Sequence, residues 1–203
     1  MPVTRTRIES IRRRDLIEAA YQTFLEHGLN GMTMARISKR SGLSQGVVNY
    51  YFKSKDELIF AVVRKGYFMS MAHAARRLRA ARSPRERLDA IISSNIPEAV
   101  FTPDGTRAWI GFYTYLTQYP ELQRLQRVCD QRVKSNLVHA LSGLVPRDAV
   151  KDIAFHIITM VDGLWLRRLL DRDEISAAEA VDLIWQSVDL RIEAARRKEE
   201  SNG

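Results

Sequence analysis

The chain has 203 residues, 45% of them apolar, with a formal net charge of +8 and one cysteine. That much apolar material fills one large domain or two small ones sharing a core, which excludes a disordered chain as the default. The lone Cys129 leaves no internal disulfide framework, and no apolar run approaches the ~20 residues of a membrane helix, so the expectation is a soluble cytoplasmic protein without a signal peptide.

Strand signals are scarce and helical periodicity runs almost throughout, so the predicted class is all-α with about nine helices. Leu16, Ala19, Ala20 and Phe24 recur at helical offsets and Gly28 follows as a stop, giving a first helix over 9–27. Thr33 is the expected N-cap of a short second helix ending near Ser41, with Gly42 as its stop. Ser44 caps a third, through about Tyr51. Ser54 and Glu57 form a capping box that opens a long fourth helix toward Arg79. Pro84 suits the first turn of a fifth helix, extending to about Val100. Four more are predicted over 105–118, 120–141, 147–170 and 176–197, with turns at 102–105 and 142–146. The stretch 196–203 reads as a frayed polar tail.

Charge is segregated along this series. Residues 1–80 hold 15 Lys/Arg against 6 Asp/Glu, whereas residues 81–203 hold 17 against 18. A basic excess confined to one end is the electrostatic footprint of a phosphate-backbone binder, although a solvated basic face or a patch for anionic membrane has the same composition.

Residues 33–52 carry the decisive pattern. Two short capped helices around a Gly-containing turn make a helix-turn-helix. Within the second helix Gln45 and Asn49 share one stripe with Gly46 and Tyr50, while Val48 and Phe52 occupy another. The apolar stripe seats on the preceding helix and the polar one faces outward, where Gln and Asn side chains can pair with adenine in a major groove. Gly46 permits close backbone approach.

On these residues, 11–65 resembles the DNA-binding domain of the TetR family. The matching pieces are Thr33-Met34-Ala35-Arg36-Ile37-Ser38, Gly42-Leu43-Ser44 and the run from Tyr50 to Leu58. The resemblance implies that Ser44, Gln45, Gly46, Asn49 and Tyr50 face DNA and that Thr33, Arg36 and Lys55 bind phosphates, Lys55 with help from a helix N-terminus. Where that family often has Tyr followed by an aromatic and a His, this chain has Asn49, Tyr50 and Tyr51, which leaves the operator sequence open. Arg5, Arg7 and Arg12 to Arg14 are candidates for added backbone or minor-groove contacts.

Residues 85–170 resemble the BetI type within that family, the choline-responsive repressors of glycine-betaine synthesis. Arg87-Leu88, Ala108-Trp109, Arg124-Leu125-Gln126-Arg127 and the run 162–167 carry the likeness. The resemblance implies a homodimer that binds operator DNA and a small-molecule effector, choline or betaine aldehyde. An effector from an efflux or catabolic operon is the alternative within the family. The sequence offers Trp109, Phe112, Tyr113 and Leu116 on one helical face, with Asp162 and Trp165 on a later helix. A quaternary ammonium lacks an N–H donor and is held by aromatic faces and a carboxylate, so these six are the expected ligand contacts; core filling explains the same aromatics. Dimerisation is expected through the last two long helices, at Ile153, Ile157, Val161, Leu164, Val181, Ile184 and Val188. The expected division is 1–67 for DNA, 68–197 for effector and dimer, and 198–203 as tail.

Two functions from other classes fit parts of this pattern. A constitutive architectural DNA binder needs no effector pocket. Gly42-Leu43-Ser44-Gln45-Gly46 matches the G-x-S-x-G nucleophile elbow, but that motif needs a preceding strand, and here a predicted helix precedes it, so Ser44 reads as a cap rather than a hydrolase nucleophile. His27, His73, His139 and His156 lack H-E-x-x-H spacing and Cys129 lacks a C-x-x-C partner; no metal or cofactor is expected.

Overall fold

The computed structural model describes the backbone of residues 3–116, 118–170 and 175–202 and the side chains of 8–116, 118–170 and 175–201. Among the described residues the chain is helical and has no strand. The elements are α1 (Val3–Gly31), α2 (Met34–Ser41), α3 (Gln45–Tyr51), α4 (Lys55–Ala80), α5 (Pro84–Asn95), α6 (Pro103–Leu116), α7 (Pro120–Leu141), α8 (Val150–Leu170) and α9 (Ala177–Asn202). None is long and apolar enough to cross a membrane.

The caps explain most boundaries. Thr33, Ser44, Ser54 and Ser83 are extended, and the hydroxyl of each accepts an amide N–H three residues on. Gly28, at φ 65° and ψ −177°, breaks the path of α1 before its final turn. Departures from expectation have local causes. The first helix starts at Val3 rather than Glu9. The fifth stops at Asn95, short of Val100, because Pro97 disfavours helix at Ile96; Val100 and Phe101 instead donate to the Pro97 carbonyl at 2.9 and 2.8 Å. The stretch 102–105 is the cap and first turn of α6, with Thr102 Oγ1 accepting from Gly105 N at 3.1 Å. Residues 147–149 form a turn before α8. The frayed tail is overturned: α9 continues to Asn202. Residues 193–200 are all helix formers, and an i,i+4 pair joins Arg197 to Glu193 at 3.1 Å.

Two apolar cores organise the helices. The first joins Leu16, Phe24, Ile37, Val48, Phe52 and Val62 of α1–α4 and the α3–α4 link to Ala108 and Phe112 of α6 and Leu122 of α7. The second collects α5, α7, α8 and α9 around Ile92, Leu141, Ile157 and Val188. This corrects the interface expectation. Ile153, Ile157, Val161, Ile184 and Val188 are buried within the chain's own second core, and Leu164 and Val181 pack against it. The apolar side chains left facing solvent on the same helices are Phe155, Leu166 and Leu170 on α8 and Leu183 and Leu190 on α9. They recur at helical spacing, so each helix has an inner and an outer apolar stripe.

Candidate functional site

The helix-turn-helix has the polarity its sequence requires. Val48 is fully buried and Phe52 nearly so, while Gln45, Gly46, Asn49 and Tyr50 are exposed, Tyr50 at 60%. The apolar stripe therefore locks α3 down and the polar row projects. Gly42, left-handed at φ 69°, makes the turn from α2, and Ser44 Oγ accepts from Val47 N at 3.3 Å. The serine of the nucleophile-like pentapeptide thus serves as a helix cap after another helix.

The expected phosphate ligands flank this row and are exposed. Thr33 Oγ1 accepts from Arg36 N at 3.3 Å, and Arg36 Nη1 donates to the Gly31 carbonyl at 2.9 Å, which holds its guanidinium against the end of α1. Lys55 opens α4, where Ser54 Oγ accepts from Glu57 N at 3.1 Å. Glu57 returns its carboxylate to Lys53 N at 2.9 Å, one residue earlier than the expected capping box. Beside α3, a cavity of about 460 Å³ is lined by Glu9, Ser10, Arg13, Tyr50, Tyr51 and Lys53. Lys53 Nζ stands 5.3 Å from the Tyr50 ring centroid, and Arg13 lies 4.9 Å over Phe52 and 3.4 Å from Glu57. Lys53 and Tyr51 were not singled out from sequence; their place beside Tyr50 at the end of a capped helix was the available signal. The side chains of Arg5 and Arg7 lie outside the described residues.

The six expected ligand contacts separate. Trp109 packs edge-on to Phe24 at 5.3 Å and tilted to Tyr67 at 5.5 Å, and Phe112 is fully buried. With Leu116, both belong to the first core. Gly66 makes room for Trp109: a Cβ there would stand 2.4 Å from Trp109 Cζ2. Trp165 packs on the second core, its indole N–H donating to the Asn95 carbonyl at 3.0 Å and its ring edge-on to Phe101 at 5.3 Å. Tyr113, which touches Phe112 at 6.1 Å between ring centroids, is coupled to Asp162, and both have partners that were not among the expected contacts.

These partners are Tyr67, Gln126 and Asp130. Tyr67 Oη donates to Gln126 Oε1, and Gln126 Nε2 donates to Asp130 Oδ1 at 2.7 Å. Burial, and then the nearby Asp162 and Asp130, push the Tyr113 hydroxyl up to about 12. Tyr67 is raised by burial first and by Tyr113, Cys129 and Asp130 next. Burial also raises Asp130 and Asp162, Asp162 further through the charge of Asp130. Yet solvent reaches Tyr113, 45% exposed, and both aspartates are exposed. Tyr67 of α4, Tyr113 of α6, Asp130 of α7 and Asp162 of α8 thus act on one another as a side-chain cluster, which solvent reaches at Tyr113 and both aspartates. Two like charges held there, beside tyrosine faces, create a field that attracts a cation.

Comparison with known proteins matches both halves. Residues 16–62 fit the profile of bacterial regulatory proteins of the tetR family, and residues 84–193 fit that of the BetI-type transcriptional repressor C-terminal region. The HTH-type transcriptional regulator BetI of Stenotrophomonas maltophilia is 36% identical over 190 residues, covering 93% of this chain and 96% of that one. BetI 1 of Chromohalobacter salexigens is 37% identical over 183 residues, covering 90% and 91%. Among solved structures, a transcriptional regulator from Saccharomonospora viridis, crystallised in complex with choline, superposes with a TM-score of 0.78 at 18% identity, covering 89% of this chain and 96% of that one. One from Rhodococcus sp. Rha1 reaches 0.73 at 21%, covering 92% and 96%. At these identities the superpositions show the shared fold.

Proposed function

Because the chain belongs to the TetR family, with a C-terminal region of the BetI type, and is a DNA-binding transcriptional regulator, we propose that it is a homodimeric repressor released from its operator by a small organic cation. DNA contact is assigned to residues 1–67, with Gln45, Gly46, Asn49 and Tyr50 at base edges and Thr33, Arg36, Ser44 and Lys55 at the backbone. Effector binding and dimerisation are assigned to residues 68–197. The protein acts in the cytoplasm, where bacterial DNA lies.

One short recognition helix covers too little duplex for specific control, so two copies read half-sites about 34–36 Å apart or a multiple of that. The outer stripes of α8 and α9, with Phe155, Leu166, Leu170, Leu183 and Leu190, supply the apolar surface for pairing.

The observation that carries the effector class is the pair Asp130 and Asp162, crowded yet solvent-reached, beside Tyr113. A quaternary ammonium satisfies such carboxylates without needing a hydrogen bond of its own, and choline and betaine aldehyde both have that charge and size. The bound operator then releases because the ligand favours the arrangement of the two heads that does not fit DNA.

The test uses an operator recovered from a random duplex pool by the protein itself. Choline and betaine aldehyde are expected to release it, while 3,3-dimethylbutanol, the uncharged isostere of choline, leaves it bound. Equal release by the neutral compound overturns the carboxylate reading. Release by none of the three returns the effector to the efflux or catabolic alternative.

A further inference from the structure

One side chain on α5 bonds both to the helix that carries the DNA-reading head and to the last helix of the chain. Asp89, half-buried on α5, accepts from Arg77 Nη2 of α4 at 2.9 Å with one carboxylate oxygen. With the other it accepts from the indole N–H of Trp185 on α9, also at 2.9 Å. Ser93, one turn along α5, adds a longer contact of 3.5 Å to that second oxygen.

The α9 side of this junction is itself held. Arg85 stands 4.3 Å over the Trp185 ring, and its guanidinium makes two parallel bonds to Asp189, at 2.6 and 2.8 Å. A bidentate Arg–Asp pair fixes direction as well as distance, so Trp185 is clamped with its N–H aimed at Asp89. The pair holds Asp189 below the ordinary aspartate range.

From this geometry we propose that Asp89 is a positioning residue for operator binding: it bridges the C-terminal end of α4 to α9 in series and so fixes where the head sits relative to the helices assigned to pairing. The inference rests on the homodimeric reading above. Leu58, Ile59, Val62 and Val63 toward the other end of α4 are built into the head core, whereas Arg77 lies in its last turn. Any rocking of α4 about its middle therefore moves head and Arg77 together. A dimer reading two half-sites binds only with the fraction of molecules whose heads are correctly spaced, and its apparent affinity falls by that fraction. Tying α4 to α9 raises the fraction. A bridge in series is cut equally well at either end.

That last property gives the experiment. Trp185→Phe keeps a ring beneath Arg85 but removes the donor, and Arg77→Met keeps the stem but removes the charge. Both are made singly and together in the full chain. Affinity for the selected operator is measured by anisotropy, alongside dimer mass by sedimentation and the helical melt. Each single variant is expected to weaken operator binding about fivefold while dimer mass is retained, and the double variant is expected to weaken it no further than either single one. Independent structural contacts would multiply instead, to about 25-fold, and that result overturns the bridge. Unchanged affinity in both single variants overturns it as well. Loss of dimer mass in the wild-type protein would instead count against the homodimeric reading.

Discussion

Replacing Val48 by Ala tests whether the inner stripe of α3 sets the direction of the outer one. Val48 is fully buried and belongs to the same core as Ile37 and Phe52. Removing two methyl groups forfeits about 1.6 kcal/mol of transfer energy at ~0.8 per group. The space left, on the order of 50 Å³, adds about 1 kcal/mol if neighbours relax only partly. The expected loss is therefore about 2–3 kcal/mol, a large share of the roughly 5–15 kcal/mol that holds a domain folded. A seven-residue helix has no stability of its own, so its docking bears the loss first. Calorimetry should show the melting temperature fall by about 4–12 °C for a chain of this length. Asn49→Ala, one residue along on the exposed row, should leave the melt where it was and weaken operator binding. An unmoved melt in Val48→Ala, or a large drop in Asn49→Ala, would reverse the assignment of the two stripes and refute the reasoning.

Lys55→Ala should weaken binding to all duplexes alike and flatten the plot of log K against log salt by about 0.9, the release expected for one phosphate contact; an unaltered slope removes Lys55 from the backbone contacts. Gly66→Ala drives a methyl to 2.4 Å from Trp109 Cζ2 and 2.7 Å from its Cη2, so chemical denaturation should report a loss of about 1–3 kcal/mol from overpacking, and a neutral result would mean the ring has room to shift. Asp162 has a pKa raised by burial and by Asp130. A carboxyl raised on folding contributes stability that is full below its ordinary pKa and lost as pH rises through the folded one. Asp162→Asn should therefore melt higher than the parent at pH 7, lose that advantage in acid, and no longer release operator with choline; a lower melt at pH 7 contradicts the crowding argument.

How far the sequence was legible depended on distance along the chain. Caps act over three residues, so Thr33, Ser44 and Ser54 could be placed from their neighbours alone, and the two stripes of α3 followed from helical periodicity. The cluster of Tyr67, Tyr113, Asp130 and Asp162 was legible only in part, because its members come from four helices: Tyr113 and Asp162 stand out beside aromatic neighbours, whereas nothing within their own helices marks Tyr67 or Asp130. Trp109 and Phe112 are ambiguous in sequence for a physical reason: filling a core and enclosing a cation call for the same side chains. Gly66 was the available clue, since a glycine among the apolar positions of α4 signals a large group approaching from elsewhere. Likewise, periodicity identifies an apolar helix face without saying whether it meets its own chain, as Ile157 and Val188 do, or faces outward like Phe155 and Leu190.

The seating of Phe112, Ala108 and Leu122 among the residues of α1–α4 makes the head a composite. Severed after residue 67, it would leave Phe24 and Val62 without their cover from α6 and α7. Grafting this reading head onto another regulator thus means transplanting a matching α6 surface too, so specificity for DNA and the architecture of the sensor are inherited together rather than shuffled freely.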